Sequence, residues 1–143
     1  MKVVINKCYG GFGLSFTAMR KIAERKGFPL YFYDRTKYEY RDGIDEFVRV
    51  DSPGETSMSS FTLKQDLGPV ISGKEALEGA EWFFDSYLER NDLDMIAVIE
   101  EMGKESFGDF AELEIVEIPD DVNWKIEEHD GIEWVAEVHL TWG

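Results

Sequence analysis

Residues 1–15, MKVVINKCYGGFGLS, decide how the rest of the chain is read. Val3, Val4 and Ile5 form a short β-branched run suited to a buried strand. Lys7 and Cys8 follow; Gly10, Gly11 and Gly13 then allow a sharp bend, and Ser15 is a residue that caps helices. A strand that passes through a glycine-rich bend into a helix start leaves unpaired N–H groups beside the bend. Two expectations follow: the strand lies in the core, and the bend reaches the surface at the mouth of the helix.

Downstream, residues 15–26 place Phe16, Met19, Ile22 and Ala23 on one helical face. Arg25 and Lys26 suit the negative end of the helix dipole, and Gly27 and Pro29 stop the helix. Residues 30–33 read as a strand. In residues 37–50, KYEYRDGIDEFVRV, the pair Asp42-Gly43 separates two runs rich in Tyr, Phe and Val and signals a hairpin. A two-residue loop would pair Tyr38 with Phe47, a three-residue loop Tyr40 with Ile44, and both registers stay open. Residues 51–71 lose periodicity and read as a long loop with a short strand near Phe61 to Leu63.

Ser72-Gly73-Lys74-Glu75 fits a capping box, and the apolar stripe behind it (Ala76, Leu77, Ala80, Phe83, Phe84, Tyr87, Leu88) predicts a helix. Asn91 or Asp92 caps a further helix from Leu93 to Met102, stopped by Gly103. The last third is β: a strand over 113–119, then two alternating runs around His129-Asp130-Gly131. A three-residue loop there sets Ile126 opposite Trp134, Trp124 opposite Ala136 and Val122 opposite Val138, which gathers the apolar residues on one face. The expectation is a single α+β domain over residues 1–143. It has a mostly antiparallel mixed sheet, about three helices packed on one face, and a C-terminal β-hairpin.

The 143 residues include four Trp, six Tyr and ten Phe, ample for a folded core. The single cysteine excludes an internal disulfide, and with only two histidines the chain lacks ligands for a structural zinc site. No apolar run is long enough to span a bilayer, so no membrane partner is expected. Charge is uneven: residues 1–50 hold ten Lys/Arg against six Asp/Glu, whereas residues 51–143 hold five against 24. The resulting net charge of −15 repels nucleic-acid phosphate and favours either simple solubility or a basic protein partner.

VINKCYGGFGLS at residues 4–15, LDMIAVIEEMG at 93–103 and LEIVEIPDDVNWKIEEHDGIEWVAE at 113–137 together resemble a family of small bacteriophage- and prophage-encoded proteins without an assigned activity. The resemblance implies a phage setting and expression in the cytoplasm of a bacterial host. Members of that family commonly carry His-Arg-Thr-Trp where this chain has His139-Leu140-Thr141-Trp142.

Candidate chemistry centres on the bend. Lys7, Cys8, Gly10, Gly11, Gly13 and Ser15 could hold a small anionic ligand such as a nucleotide or phosphorylated metabolite, although the spacing is neither a dinucleotide fingerprint nor a P-loop. Residues 68–74 match G-x-x-x-x-G-K, but Glu75 follows where magnesium needs a hydroxyl, so the capping box explains them better. Cys8 as a nucleophile would need a base; His129 lies at a hairpin tip, and a small buried residue is the simpler role. Trp142 is the tryptophan expected at the surface. No residue set calls for a cofactor or a catalytic reaction. The leading expectation is a non-catalytic accessory protein that binds a host protein; the alternatives are the small ligand at the bend and a minor virion component.

Overall fold

The computed structural model describes residues 1–39, 44–53, 60–73 and 77–139. In chain order the elements are β1 (Lys2–Asn6), α1 (Phe16–Lys26), β2 (Tyr31–Glu39), β3 (Ile44–Val50), β4 (Ser60–Leu63), β5 (Val70–Ser72), α2 (Leu93–Met102), β6 (Leu113–Glu117), β7 (Trp124–His129) and β8 (Ile132–Glu137). Single 3-10 turns occupy Asp85–Tyr87 and Gly103–Ser106. The class is α+β, and among the described residues every strand pairing is antiparallel and the strands form three sheets rather than one. The described residues contain two α-helices where about three were expected.

One unit comprises Met1–Arg25 with Leu88–Gly143. Val3, Val4 and Ile5 are fully or almost fully buried, as the apolar run requires, and each such side chain is worth about 1.5–3 kcal/mol of burial. β1 pairs with β6 from Lys2↔Glu117 to Asn6↔Leu113. The N–H of Val4 and that of Asn6 point away from β6: the first donates to the Arg90 carbonyl (2.8 Å), the second to Glu133 Oε1 (2.7 Å). Arg90 Nη1 donates to the Val4 carbonyl at 3.2 Å, so Arg90 and Glu133 stand where a third strand would otherwise close the sheet.

Ser15 Oγ accepts from the Ala18 N–H at 3.2 Å and so caps α1, whose buried face is Ala18, Met19, Ile22 and Ala23. Phe16, expected on that face, is exposed, because the helix turns Ala18 inward instead. Asp92, one of two candidate caps, accepts from the Met95 N–H at 2.9 Å, and Gly103 ends α2 with a positive φ of 61°. The two helices are joined by Lys21–Glu101 and Arg25–Asp94 ion pairs at 3.2 and 3.3 Å.

The C-terminal hairpin departs from its expected register. It pairs Trp124 with Glu137, Ile126 with Val135 and Glu127 with Trp134, around a two-residue turn at Asp130 (φ 50°) and Gly131 (φ 88°). Two consecutive positive φ values give the turn whose twist matches that of the flanking strands. The three-residue loop was attractive because it grouped the apolar residues. In the actual register Glu133 is buried beside Val135, while Trp134 is exposed and donates to Glu127 Oε2 at 3.0 Å.

The second unit is Lys26–Tyr87. Its sheet runs β4-β2-β3-β5 around a core of Tyr33, Phe47, Leu63 and Ile71. The β2–β3 hairpin pairs Tyr38 with Asp45 and Glu39 with Ile44, neither of the two registers considered, and a bulge between Arg35 and Lys37 shifts the ladder by one more residue beyond it, to Arg35↔Phe47. Asp42 and Gly43 lie outside the described residues. The span read as a long loop contributes β4, at the position expected for a short strand, and β5 as well.

The helix expected behind Ser72 is not formed over the described residues 77–88; Lys74, Glu75 and Ala76 lie outside them. Trp82 bridges to Leu63, the Phe83 N–H donates to the Thr62 carbonyl (3.2 Å), and the Lys64 N–H donates to the Glu81 carbonyl (2.8 Å). Gly79 has φ +74°, incompatible with a helix interior, and the aromatic run after it lies extended along β4, covering its edge. Trp82 stacks on Phe84 at 5.7 Å and packs on Phe61 at 5.0 Å, which explains why a helix-like apolar period gave way to an extended path.

Candidate binding surface at the glycine bend

Asn6, the last residue of β1, is fully buried and holds the bend together. Its Nδ2 donates to the Cys8 carbonyl (2.7 Å) and to the Gly131 carbonyl (2.8 Å), while its Oδ1 accepts from the Glu112 N–H (2.9 Å). Cys8 is half-buried, and its thiol donates to the Phe110 carbonyl at 2.8 Å. One strand end, one loop and one hairpin turn thus meet at a single amide side chain.

Behind Asn6 lies an ion pair whose carboxylate is buried and whose guanidinium is half-buried. Glu133 receives both Arg90 nitrogens, Nη1 at 2.7 Å and Nη2 at 2.8 Å, and the Asn6 N–H completes its set. Burial pushes the Glu133 carboxyl up, but the hydrogen bonds from Arg90 and Asn6 together with the Arg90 charge outweigh it and hold the group below the usual glutamate value. The Arg90 guanidinium also sits 3.7 Å from the centre of the Phe12 ring, which carries the apolar side of the bend.

The glycines serve close packing of backbone on backbone. A Cβ on Gly10 would overlap the Phe110 carbonyl; one on Gly108 would come within 2.9 Å of the Gly13 carbonyl carbon, and one on Gly131 within 2.6 Å of the Tyr9 oxygen. The Gly108 N–H donates to the Gly13 carbonyl at 2.9 Å. Gly11, at φ +89°, has open space around it and supplies the turn itself. The structure therefore gathers Lys7, Cys8, Gly10, Gly11, Gly13 and Ser15 along one continuous bend.

Their donors are largely committed. The Ser15 N–H donates to the Ser106 carbonyl (2.9 Å), its hydroxyl to the Glu105 carbonyl (2.7 Å), and the Lys7 N–H to the Glu112 carbonyl (2.7 Å). A shallow hollow of about 150 Å³ remains between residues 10–13 and 108–111, and Asp109 borders it. The Lys7 side chain is exposed but does not line the hollow.

Fixing the two backbone segments against each other leaves two rings in solvent: Tyr9 is 76% and Phe110 78% exposed. Asp109 and Glu112 are exposed on or next to the second segment, and Asp130 is exposed in the hairpin turn whose Gly131 packs on Tyr9. The sequence reading did not single out Asn6, Arg90, Glu133 or Phe110. A signal for one of them was present, since a glutamate inside an apolar run (Ile132-Glu133-Trp134-Val135) invites a buried cationic partner.

His129 is exposed at the hairpin tip, 3.5 Å from the Asp130 carboxylate, as its sequence position suggested; Trp142 and the variant residue Leu140 lie outside the described residues. Among the described residues no group of three or more His, Cys, Asp or Glu side chains is placed to hold a metal, and no helix is long and apolar enough to cross a membrane. No protein-family model matches the chain, and neither does any curated protein or solved structure.

Proposed function

We propose that the chain is a non-catalytic binding protein that engages a basic protein of the bacterial cell in which it is made, in the service of host takeover or of blocking antiviral defence. The observation that carries this reading is the pair of exposed rings, Tyr9 and Phe110, on backbone segments locked together by Gly10 and Asn6. Aromatic side chains on a rigid frame make good anchors, because they bring contact area at little cost in ordering. The acids around them, Asp109, Glu112 and Asp130, form a rim that steers and selects a cationic partner.

The test is capture from bacterial lysate with the wild-type chain and with the Tyr9→Ala/Phe110→Ala double variant, at low and at high ionic strength. A basic protein should be retained by the wild type at low salt, released at high salt, and missed by the double variant. No capture at low salt, or capture indifferent to both rings, would remove the reading.

The hollow beside the bend favours a second reading, a small anionic ligand at Gly10, Gly11 and Gly13, with the exposed Lys7 three residues before Gly10 in the chain. It draws less support, because both Ser15 donors are used internally and the Asp109 carboxylate borders the hollow. A ligand at a hundred times its dissociation constant should raise stability by about 2.7 kcal/mol, so a thermal-shift series with phosphate, nucleoside monophosphates and sugar phosphates decides between the two.

A further inference from the structure

Among the described residues, strand β6 has one edge paired with β1 and no strand on the other. The hydrogen-bond parity fixes which groups are which. Val4 and Asn6 of β1 turn their N–H groups to Arg90 and Glu133, whereas Met1 exchanges bonds with Ile118 and the Lys7 N–H donates to the Glu112 carbonyl. Bonding to β6 therefore uses odd residues of β1 and even residues of β6, given the register Val3↔Val116 and Ile5↔Glu114. The N–H and C=O groups of Leu113, Ile115 and Glu117 point the other way. Among the described residues no strand pairs with that edge. β1 has its outer edge closed by Arg90 and Glu133; for β6 no such closure is found among the described residues.

The side chains along the edge say what would fit it. Residues 114–117 read Glu-Ile-Val-Glu, with both glutamates exposed and, among the described residues, in no ion pair. Glu112 extends the acidic line, and Asp121 lies just beyond its other end. A second copy of this chain laid antiparallel on the edge would bring together two strands that each carry Glu112, Glu114 and Glu117, and gathering like charges along one ladder is unfavourable. A strand with basic residues three apart and apolar residues between them meets both glutamates and covers Ile115 and Val116.

We propose that β6 accepts, by strand addition, an extended segment of a basic partner with the pattern basic-apolar-apolar-basic. The proposal rests on the basic-partner reading above and names where that partner pairs its backbone. Main-chain bonds to Leu113, Ile115 and Glu117 supply the register, and Glu114 and Glu117 supply the selection.

The probe is a fluorescent peptide carrying Lys-Val-Val-Lys in an extended eight-residue context, added to the full chain. Binding should slow hydrogen exchange at the Leu113, Ile115 and Glu117 amides, while those of Glu114 and Val116, already in the ladder with β1, change little. N-methylation of the peptide on its bonding side should weaken binding about tenfold or more, with each lost hydrogen bond contributing about fivefold. A Glu-Val-Val-Glu peptide should not bind. Ile115→Pro removes an outward N–H that the β1 ladder does not use, so it should leave the fold standing and abolish the exchange protection.

Peptide binding with unchanged exchange at these three amides, or equal affinity for the N-methylated peptide, would overturn the proposal. So would dimerisation of the free chain that Ile115→Pro abolishes, since the occupant would then be a second copy. If lysate capture depends on Tyr9 and Phe110 but survives Ile115→Pro, the edge assignment falls and the binding reading stands.

Discussion

Removing the Glu133 side chain tests the centre of the larger unit most directly. The carboxylate is 7% exposed and accepts three hydrogen bonds at 2.7–2.8 Å, two of them from Arg90. Glu133→Ala leaves a half-buried guanidinium facing a void and strands the Asn6 N–H. Breaking one side of a buried pair costs about 3–5 kcal/mol. Arg90 keeps the Val4 carbonyl and the Phe12 ring, which places the loss near the lower end, about 3 kcal/mol. Glu133→Gln preserves the shape and one acceptor, so about 1.5–2 kcal/mol is expected. Replacing both partners, Arg90→Met with Glu133→Leu, should recover much of the deficit, since well-packed apolar pairs often match buried ion pairs.

Urea unfolding at neutral pH reads these values as shifts of the midpoint at constant slope. The same pair gives a pH signature. Because the folded carboxyl sits below the ordinary glutamate value of 4.5, its contribution is complete above that value and fades as pH falls through the folded pKa. The gap between wild type and Glu133→Gln should therefore be constant at higher pH and narrow in acid below about pH 4.5. A loss under about 1 kcal/mol for Glu133→Ala, or a gap that widens in acid, would refute the account of β1 being closed by this pair.

Two further substitutions separate packing from backbone conformation at the bend. Gly10→Ala drives a methyl group into the Phe110 carbonyl and should cost about 3 kcal/mol, whereas Gly11→Ala meets only the strain of φ +89° and should cost about 1 kcal/mol; thermal denaturation showing the opposite order would contradict the contact. In the smaller unit, Tyr33→Phe removes a hydroxyl that donates to the Gly68 carbonyl at 2.8 Å and accepts from the Leu67 N–H at 3.1 Å, for about 1–2 kcal/mol and faster exchange at the Leu67 amide. Burial, with the Asp66 carboxylate alongside, holds the Tyr33 phenol above its ordinary 10.0, so ultraviolet titration of this variant should lack a late-ionising tyrosine present in the wild type.

Elements with their own punctuation were readable from the sequence. The β-branched run at Val3 to Ile5, the Ser15 cap, the Asp92 cap, and the glycine stops at Gly27 and Gly103 all lie where local chemistry dictates. Failures came where tertiary partners overrode a local period. The apolar stripe from Leu77 to Leu88 suits a helix by spacing, yet β4 offered an edge to cover, and Trp82 and Phe83 took it. The hairpin register was misjudged because apolar alternation was assumed to mark the inner face, while the inner face holds Glu133. Gly10, Gly108 and Gly131 were legible as glycines but not as contacts, since a close backbone approach involves a partner segment that no local pattern names.

The closure of β1 by distant residues also sets a timetable. Val4 finds Arg90, Asn6 finds Glu133, and Met1 and Lys7 find Ile118 and Glu112, so all but the first of these contacts wait for the last third of the chain. The intervening block, residues 26–87, draws its ladder from neighbours along the chain and has no such wait. At translation speeds of about 5–20 residues per second, the apolar ribbon spends on the order of ten seconds outside the ribosome without its mates. Pulse-labelled refolding should accordingly protect residues 31–35 before residues 2–6, and the reverse order would contradict this. Throughout that interval Val3, Val4 and Ile5 form a naked, sticky edge, so output of folded protein depends on how well chaperones shield three aliphatic side chains.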